Sequence, residues 1–245
     1  MKIILILTIT LFSLTIFGQK FSEVMGQQMT SEQLKEESKT DIRLLPKYGH
    51  AQKTEAQKQS DNEFIDTALK KDSTHRKASD HLINLGFQYL YRDVKTAMYR
   101  FNQAYLLDST NTDIYWGFGG VYMTLGDYAN AEKQYVEGLV INPQNTHLLT
   151  DFATYLFVQY ILLQPTSERD AMKNLESALL YLNRSYQINP KDQITTFKLS
   201  TCYLYRADCD NAWKFYDECK ALGGQPITED YTNTLKQECM QKKLK

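Results

Sequence analysis

Thr112 to Asn145 reads TDIYWGFGGVYMTLGDYANAEKQYVEGLVINPQN, 34 residues that spell two short helices joined by a tight turn. In the first half Tyr115, Phe118, Gly119 and Tyr122 stand at i, i+3, i+4 and i+7, one face of a helix. Leu125-Gly126-Asp127 breaks it: glycine takes the left-handed C-cap conformation, and the aspartate after it caps the next helix. The second half places Ala131, Tyr135, Gly138, Leu139 and Ile141 on one side before Pro143 stops it. Small residues at 119, 131 and 138 let two antiparallel helices approach closely, with the large residues filling the space beside them.

The same pattern recurs upstream. Gly86 to Gly119 and Tyr89 to Tyr122 are each 33 residues apart, whereas Ala97 to Ala131, Phe101 to Tyr135 and Ala104 to Gly138 are each 34. The one-residue difference falls between Tyr91 and Thr96, so the earlier unit has a shortened turn between its helices. A period of 34 with these residue types predicts a helical solenoid, in which each unit buries its face by stacking on the next. The pattern resembles the tetratricopeptide repeat, which wants an aromatic, Leu, Gly, Tyr, Ala, an aromatic, Ala and Pro where Tyr115, Phe118, Gly119, Tyr122, Ala131, Tyr135, Gly138 and Pro143 stand. Only Phe118 and Gly138 depart from it. The resemblance implies an all-α, right-handed superhelical solenoid of antiparallel helix pairs, working as a protein-binding module.

Downstream, Pro143 to Pro190 spans 47 residues, thirteen more than the period. Leu149, Phe152, Ala153 and Leu156 begin its first helix, which runs on towards Gln164, and Ser167 caps a long second one, so the insert extends both arms of the hairpin. The next unit returns to 34, with Leu199, Ser200 and Tyr203 on one helix and Ala212, Tyr216 and Cys219 on the other. Thr228 then starts a last helix that presents Tyr231, Leu235 and Cys239 on one side, the one-sided cap a solenoid needs. The expected organisation is a solenoid over 61–226, with a degenerate first unit, units at 79–111, 112–145, 146–192 and 193–226, and a capping helix over 227–245.

Residues 19–60 are polar and have little to bury. Thr30-Ser31-Glu32-Gln33 opens a helix with a capping box, predicted to run to Leu45 before Pro46, and a second helix is predicted from Thr54 to Leu69. Before them, Lys2 precedes fifteen uncharged, mostly apolar residues, Ile3 to Phe17. That run is short for a membrane span, which needs about 20 residues, and suits the core of a secretory signal with cleavage after Gly18. The expectation is a chain exported to a bacterial periplasm or secreted, with no membrane span after cleavage; an uncleaved N-terminal anchor is the alternative. The first cysteine is Cys202, which disfavours lipid anchoring near the cleavage site.

The formal charge of −1 and the absence of basic runs argue against a nucleic-acid partner. Scattered histidines at 50, 75, 81 and 147 form no metal motif, and no nucleophile setting or phosphate loop appears, so no catalytic residue, metal or cofactor is expected. In the resembled family the concave face is lined by the first helix of each repeat. Carried over, those places are Ile83, Phe87, Leu90 and Tyr91, then Trp116, Gly120, Met123 and Thr124, then Thr150, Thr154, Phe157 and Val158, and finally Phe197, Thr201, Leu204 and Tyr205. This mostly apolar lining has two readings: it receives a protein or peptide partner, or the array itself or the polar N-terminal segment covers it. An alternative use is as an accessory subunit of an envelope assembly, making contact through its convex or inserted surface. The four cysteines, at 202, 209, 219 and 239, all lie near the C-terminus. Cys209 and Cys239 come at matching heights on neighbouring helices and are expected to pair, with Cys202 and Cys219 as buried thiols; four reduced cysteines are the alternative.

Overall fold

The computed structural model describes residues 29–243, so the signal expected over residues 1–18 lies outside the described residues. Among these residues there are eleven α-helices, two short 3-10 turns and no strand, and no helix is long and apolar enough to cross a membrane. They form two compact units: residues up to 111 with 124–126, and residues 112–123 with 127 onwards.

The first unit centres on the hairpin of α3 (His75–Leu90) and α4 (Val94–Leu107). Phe101 lies under Gly86, where a methyl group would come within 2.4 Å of its ring, and Ala97, Met98 and Ala104 fill the seam without exposure. Before this hairpin come α1 (Ser31–Glu37), 3-10 turns over Ile42–Leu44 and Pro46–His50, and α2 (Glu55–Lys71). The Thr30/Gln33 capping box forms, but α1 stops at Glu37 instead of running to Leu45. Ser38 donates to Lys35 O, Thr40 donates to Glu37 O, and Asp41 accepts from Arg43 N, so short polar side chains take the backbone groups a continuing helix needs.

Residues 30–50 make a strap across α4. Lys95, Tyr99 and Asn102, at i, i+4 and i+7, hold it: Lys95 pairs with Glu37, the Tyr99 hydroxyl donates to Asp41 at 2.8 Å, and Asn102 clasps the backbone. Asn102 Nδ2 donates to the carbonyls of Arg43 (2.7 Å) and Leu45 (2.9 Å), while its Oδ1 accepts from Tyr48 N (3.2 Å). The clasped backbone is left-handed over four successive residues, Lys47, Tyr48, Gly49 and His50, with φ between +54° and +61°. Leu34 and Leu44 are buried beneath the strap.

The second unit stacks three hairpins and a cap. These are α5 (Asp113–Thr124) with α6 (Tyr128–Ile141), α7 (Thr146–Leu163) with α8 (Glu168–Ile188), α9 (Gln193–Tyr205) with α10 (Cys209–Ala221), and α11 (Glu229–Lys243). In the first hairpin the Tyr135 ring lies over Gly119, where a methyl group would come within 2.2 Å. Gly138, where the repeat pattern wants alanine, is required by Tyr115 and Leu148, whose atoms would lie 2.7 and 2.6 Å from an added Cβ. The thirteen additional residues are helix: α7 and α8 have 18 and 21 residues, against 12 and 14 in α5 and α6. Where α8 meets α7 and α9, a buried hydroxyl cluster links Thr150 Oγ1 to Ser185 Oγ (2.9 Å) and Thr195 Oγ1 (2.8 Å).

The turns inside the hairpins differ in one residue. Between α5 and α6, Gly126 takes φ +69° and Asp127 N reaches back five residues to Tyr122 O. Between α9 and α10 the same bond runs from Asp208 N to Tyr203 O, but the left-handed place is filled by Ala207 at φ +68°. Between α3 and α4 the left-handed residue is the one missing, and Asp93 N bonds four residues back to Tyr89 O.

Cys209 and Cys239 form a disulfide between α10 and α11, with Cα atoms 5.6 Å apart. Leu235 and Cys239 of the cap pack on Ala212 and Tyr216. Cys202 and Cys219 are free and buried, and burial pushes the Cys202 thiol up to about 12.

Candidate partner-binding face

The first helices of the second unit carry a linked polar row and, further along, a group of aromatic rings. The row begins at a clasp repeated down the sequence. Asn111 Nδ2 donates to Ser79 (3.0 Å) and Asp80 (2.7 Å) in the first unit, and Asn145 Nδ2, 34 residues on, donates to Thr112 (2.9 Å) and Asp113 (2.6 Å) in the second. Each asparagine thus ties the end of one repeat to the N-terminal half of that repeat's leading helix. In the next repeat the acid's place is taken by His147.

His147 Nδ1 lies 3.2 Å from Asp113 Oδ1. That bond, aided by the fields of Asp151 and Asp192 and opposed by burial, raises the imidazole pKa above its ordinary value. Trp116 stacks on the imidazole at 4.3 Å between centroids and 17° between planes, and donates its indole N–H to Asp151 at 2.5 Å. The other oxygen of Asp151 accepts from Lys198 at 3.0 Å. Asp113, His147, Trp116, Asp151 and Lys198 therefore link α5, α7 and α9 in one row. The half-buried indole is held by both its face and its N–H, which together fix its rotamer.

Further along, Phe157 meets Tyr205 at 5.0 Å and Tyr160 at 5.8 Å, and Tyr160 meets Tyr205 at 5.9 Å. Tyr205 is 47% exposed, and Leu162 on the same extended α7 is 52% exposed. Val158 and Met123 are half-buried. At the C-terminal end the cap occupies the lining: the Phe197 ring lies 5.0 Å from Tyr231 of α11, and Leu204 packs against the cluster of Ala212, Tyr216, Leu235 and Cys239.

In the first unit Tyr91 is 54% exposed and Phe87 is half-buried, edge-on to Phe101 at 5.2 Å. Ile83 and Leu90, expected in the lining, are instead interior at 4% and 3% exposure, as is Thr150 in the second unit. Ile83, Trp116, Thr150 and Phe197 occupy equivalent places. There the short branched side chains are drawn into the seam between helices, and the ring systems, longer than the seam is deep, project from it. The strap docks on α4, the second helix of its hairpin, with Asn102, Tyr99 and Lys95 as its polar anchors.

Sequence reasoning found the aromatic members of this face and missed its ionic ones. The readable signal was the 33-residue spacing of Asp80 and Asp113 together with the 34-residue spacing of Asn111 and Asn145, a polar period running in step with the apolar one. Among the described residues no group of three or more His, Cys, Asp or Glu is placed to hold a metal ion.

The backbone is similar to that of TTC0263, a thermophilic TPR protein of Thermus thermophilus, with a TM-score of 0.55 and 17% identity over 66% of this chain and 82% of that one. MamA is matched more loosely, with a TM-score of 0.43 and 14% identity over 72% of this chain and 98% of that one, and carries no further argument. The fold of this chain is that of the tetratricopeptide repeat proteins. No protein-family profile and no curated protein matches the sequence.

Proposed function

We propose that this chain is an exported, non-enzymatic interaction module that binds a partner polypeptide along the first-helix face of its second unit. The observation that carries the reading is the row from Asp113 to Lys198, which fixes Trp116 against α7, the helix that further along carries Phe157 of the incompletely covered aromatic group it forms with Tyr205. A rigid aromatic anchor bordered by charges of both signs is the composition of an interface hot spot. Such a face takes an apolar segment carrying polar groups at its edges. The disulfide suits a chain that works in an oxidising compartment such as the periplasm.

Crosslinking in the native cell followed by co-purification tests this reading. Trp116→Ala and Phe157→Ala are expected to lose the crosslinked partner, with helicity by circular dichroism unchanged. Leu162→Asp, on the extended arm, is expected to keep it. Loss with Leu162→Asp alone favours the accessory role, in which the inserted surface makes the contact.

A further inference from the structure

We propose that the cavity between the strap, α2 and α4 is a binding site for a carboxylate, held on the guanidinium of Arg100. It lies within the first unit and has a volume of about 670 Å³, in the usual range for small organic ligands. Three cations line it, and two are already matched. Arg43 donates twice to Asp41, at 2.8 Å from both Nε and Nη2, and this pairing holds the Asp41 carboxyl down at about 2. Lys53 pairs with Asp61 at 2.5 Å and sits over the Tyr48 ring at 3.5 Å.

Arg100 is different. Its Nη1 donates to Gln103 at 2.8 Å, but Nε is shut off from water with no acceptor, and among the described residues no carboxylate pairs with the side chain. A small turn of the guanidinium brings the Nε–Nη2 edge, now covered at Nε, to the cavity, and that edge receives a carboxylate in a two-pronged pair. A buried donor without an acceptor is rare in native proteins, and one on a residue that lines a cavity points to an acceptor supplied from outside the chain. Because the other two cations carry their own counter-ions, the cavity lining keeps one uncompensated positive charge, which selects a single negative group. Phe64 and Leu106 supply apolar wall for the body that bears it. The left-handed turn that places Tyr48 in the wall is the kind of strained backbone that recurs at ligand sites.

The carboxylate belongs either to a free organic acid or to an acidic side chain of a polypeptide, and calorimetric titration of the full chain separates the two. The probes are phenylacetate, its neutral isostere phenylacetamide, and the blocked dipeptide N-acetyl-Phe-Glu-amide. Phenylacetate or the dipeptide is expected to bind with Kd below about 1 mM, and phenylacetamide at least about tenfold more weakly, the size of one lost charge-assisted pair. Stronger binding of phenylacetate assigns the site to free acids; stronger binding of the dipeptide assigns it to acidic side chains. Arg100→Gln is expected to abolish the preference for the carboxylate, and Arg100→Lys to restore it in part. In the unsubstituted protein, phenylacetate is expected to shift the aromatic NMR signals of Phe64 and Tyr99 and to leave those of Phe157 in place. Equal binding of acid and amide, no binding by either carboxylate, or shifts that map away from Phe64 and Tyr99 would overturn the proposal.

Discussion

The N-terminal strap and the C-terminal cap close their units by opposite means. The cap is a regular helix with one apolar seam, Leu235 and Cys239, supported by hydroxyl pairs of Tyr231 with Ser200 (2.6 Å) and Tyr216 with Thr232 (3.0 Å) and tied by the disulfide. The strap has little to bury beyond Leu34 and Leu44, and it is fixed by ion pairs and by the Asn102 clasp, over a backbone that turns left-handed. Three non-glycine residues in that conformation cost about 1–2 kcal/mol each. The clasp, three bonds worth about 1 kcal/mol each, and Leu44, whose burial contributes about 1.5–3 kcal/mol, come to a sum of the same size. The comparison teaches that a polar terminal segment stays docked only where specific bonds offset strain, whereas an apolar helix needs position and a tether.

The largest effect is expected at the tether. Its loop spans 30 residues, and removing such a link costs about 3–4 kcal/mol by the chain-entropy estimate. Cys209→Ala with Cys239→Ala is therefore expected to lower the stability of the second unit by that amount and to speed amide exchange over α11, leaving exchange in α1 and the 3-10 turns unchanged. Full retention of protection in α11 would show that the apolar seam suffices and that the contrast with the strap is sharper still.

Next in size is the clasp. Asn102→Ala leaves the carbonyls of Arg43 and Leu45 and the amide of Tyr48 without their partner, a loss of about 2–3 kcal/mol borne by the strap. The expected outcome is rapid proteolytic cleavage within 38–53, with α3 and α4 intact. Acid acts on the same element. The Asp41 pKa is lowered from 3.8 to about 2, chiefly by its bond with Arg43, so its contribution is complete above the unfolded value and disappears as pH falls from about 4 to 2. Amide exchange over residues 38–50 is expected to quicken in that window before exchange in α4 does.

The hairpins, their register and the extended third pair were legible in the sequence because helix packing depends on side-chain size at a fixed period. Gly119 under Tyr135 is such a case, and so is the run of apolar residues through Phe157 and Tyr160 that lengthens α7. The strap was not legible. Its docking rests on Lys95, Tyr99 and Asn102, polar residues on a helix face that in most proteins simply meets water, and on a turn in which only Gly49 announces a positive φ. The candidate face was legible in part: aromatic residues stand out by type, whereas Asp113, His147, Asp151 and Lys198 gain their meaning only from the distances between them. The interior places of Ile83 and Leu90 depended on seam depth, which no residue count supplies.

The smallest effect separates strain from what strain supports. Ala207 and Tyr48 both stand at positive φ, +68° and +55°. At Ala207 the surrounding turn keeps the same five-residue bond, Asp208 N to Tyr203 O, that Asp127 N makes beside Gly126, so glycine fits without rearrangement. Ala207→Gly relieves about 1–2 kcal/mol of steric cost and gives back about 0.5–1 kcal/mol of chain entropy, a net gain of about 0.5–1 kcal/mol in urea melts. Tyr48→Gly removes the same strain but also the half-buried ring beneath Lys53, whose apolar burial and cation contact are worth more than the relief. It is therefore expected to lose about 1 kcal/mol and to release the strap. If both substitutions stabilise, backbone strain alone governs the two sites, and the ring of Tyr48 is a passenger; opposite signs mean that the N-terminal turn is strained in order to place that ring.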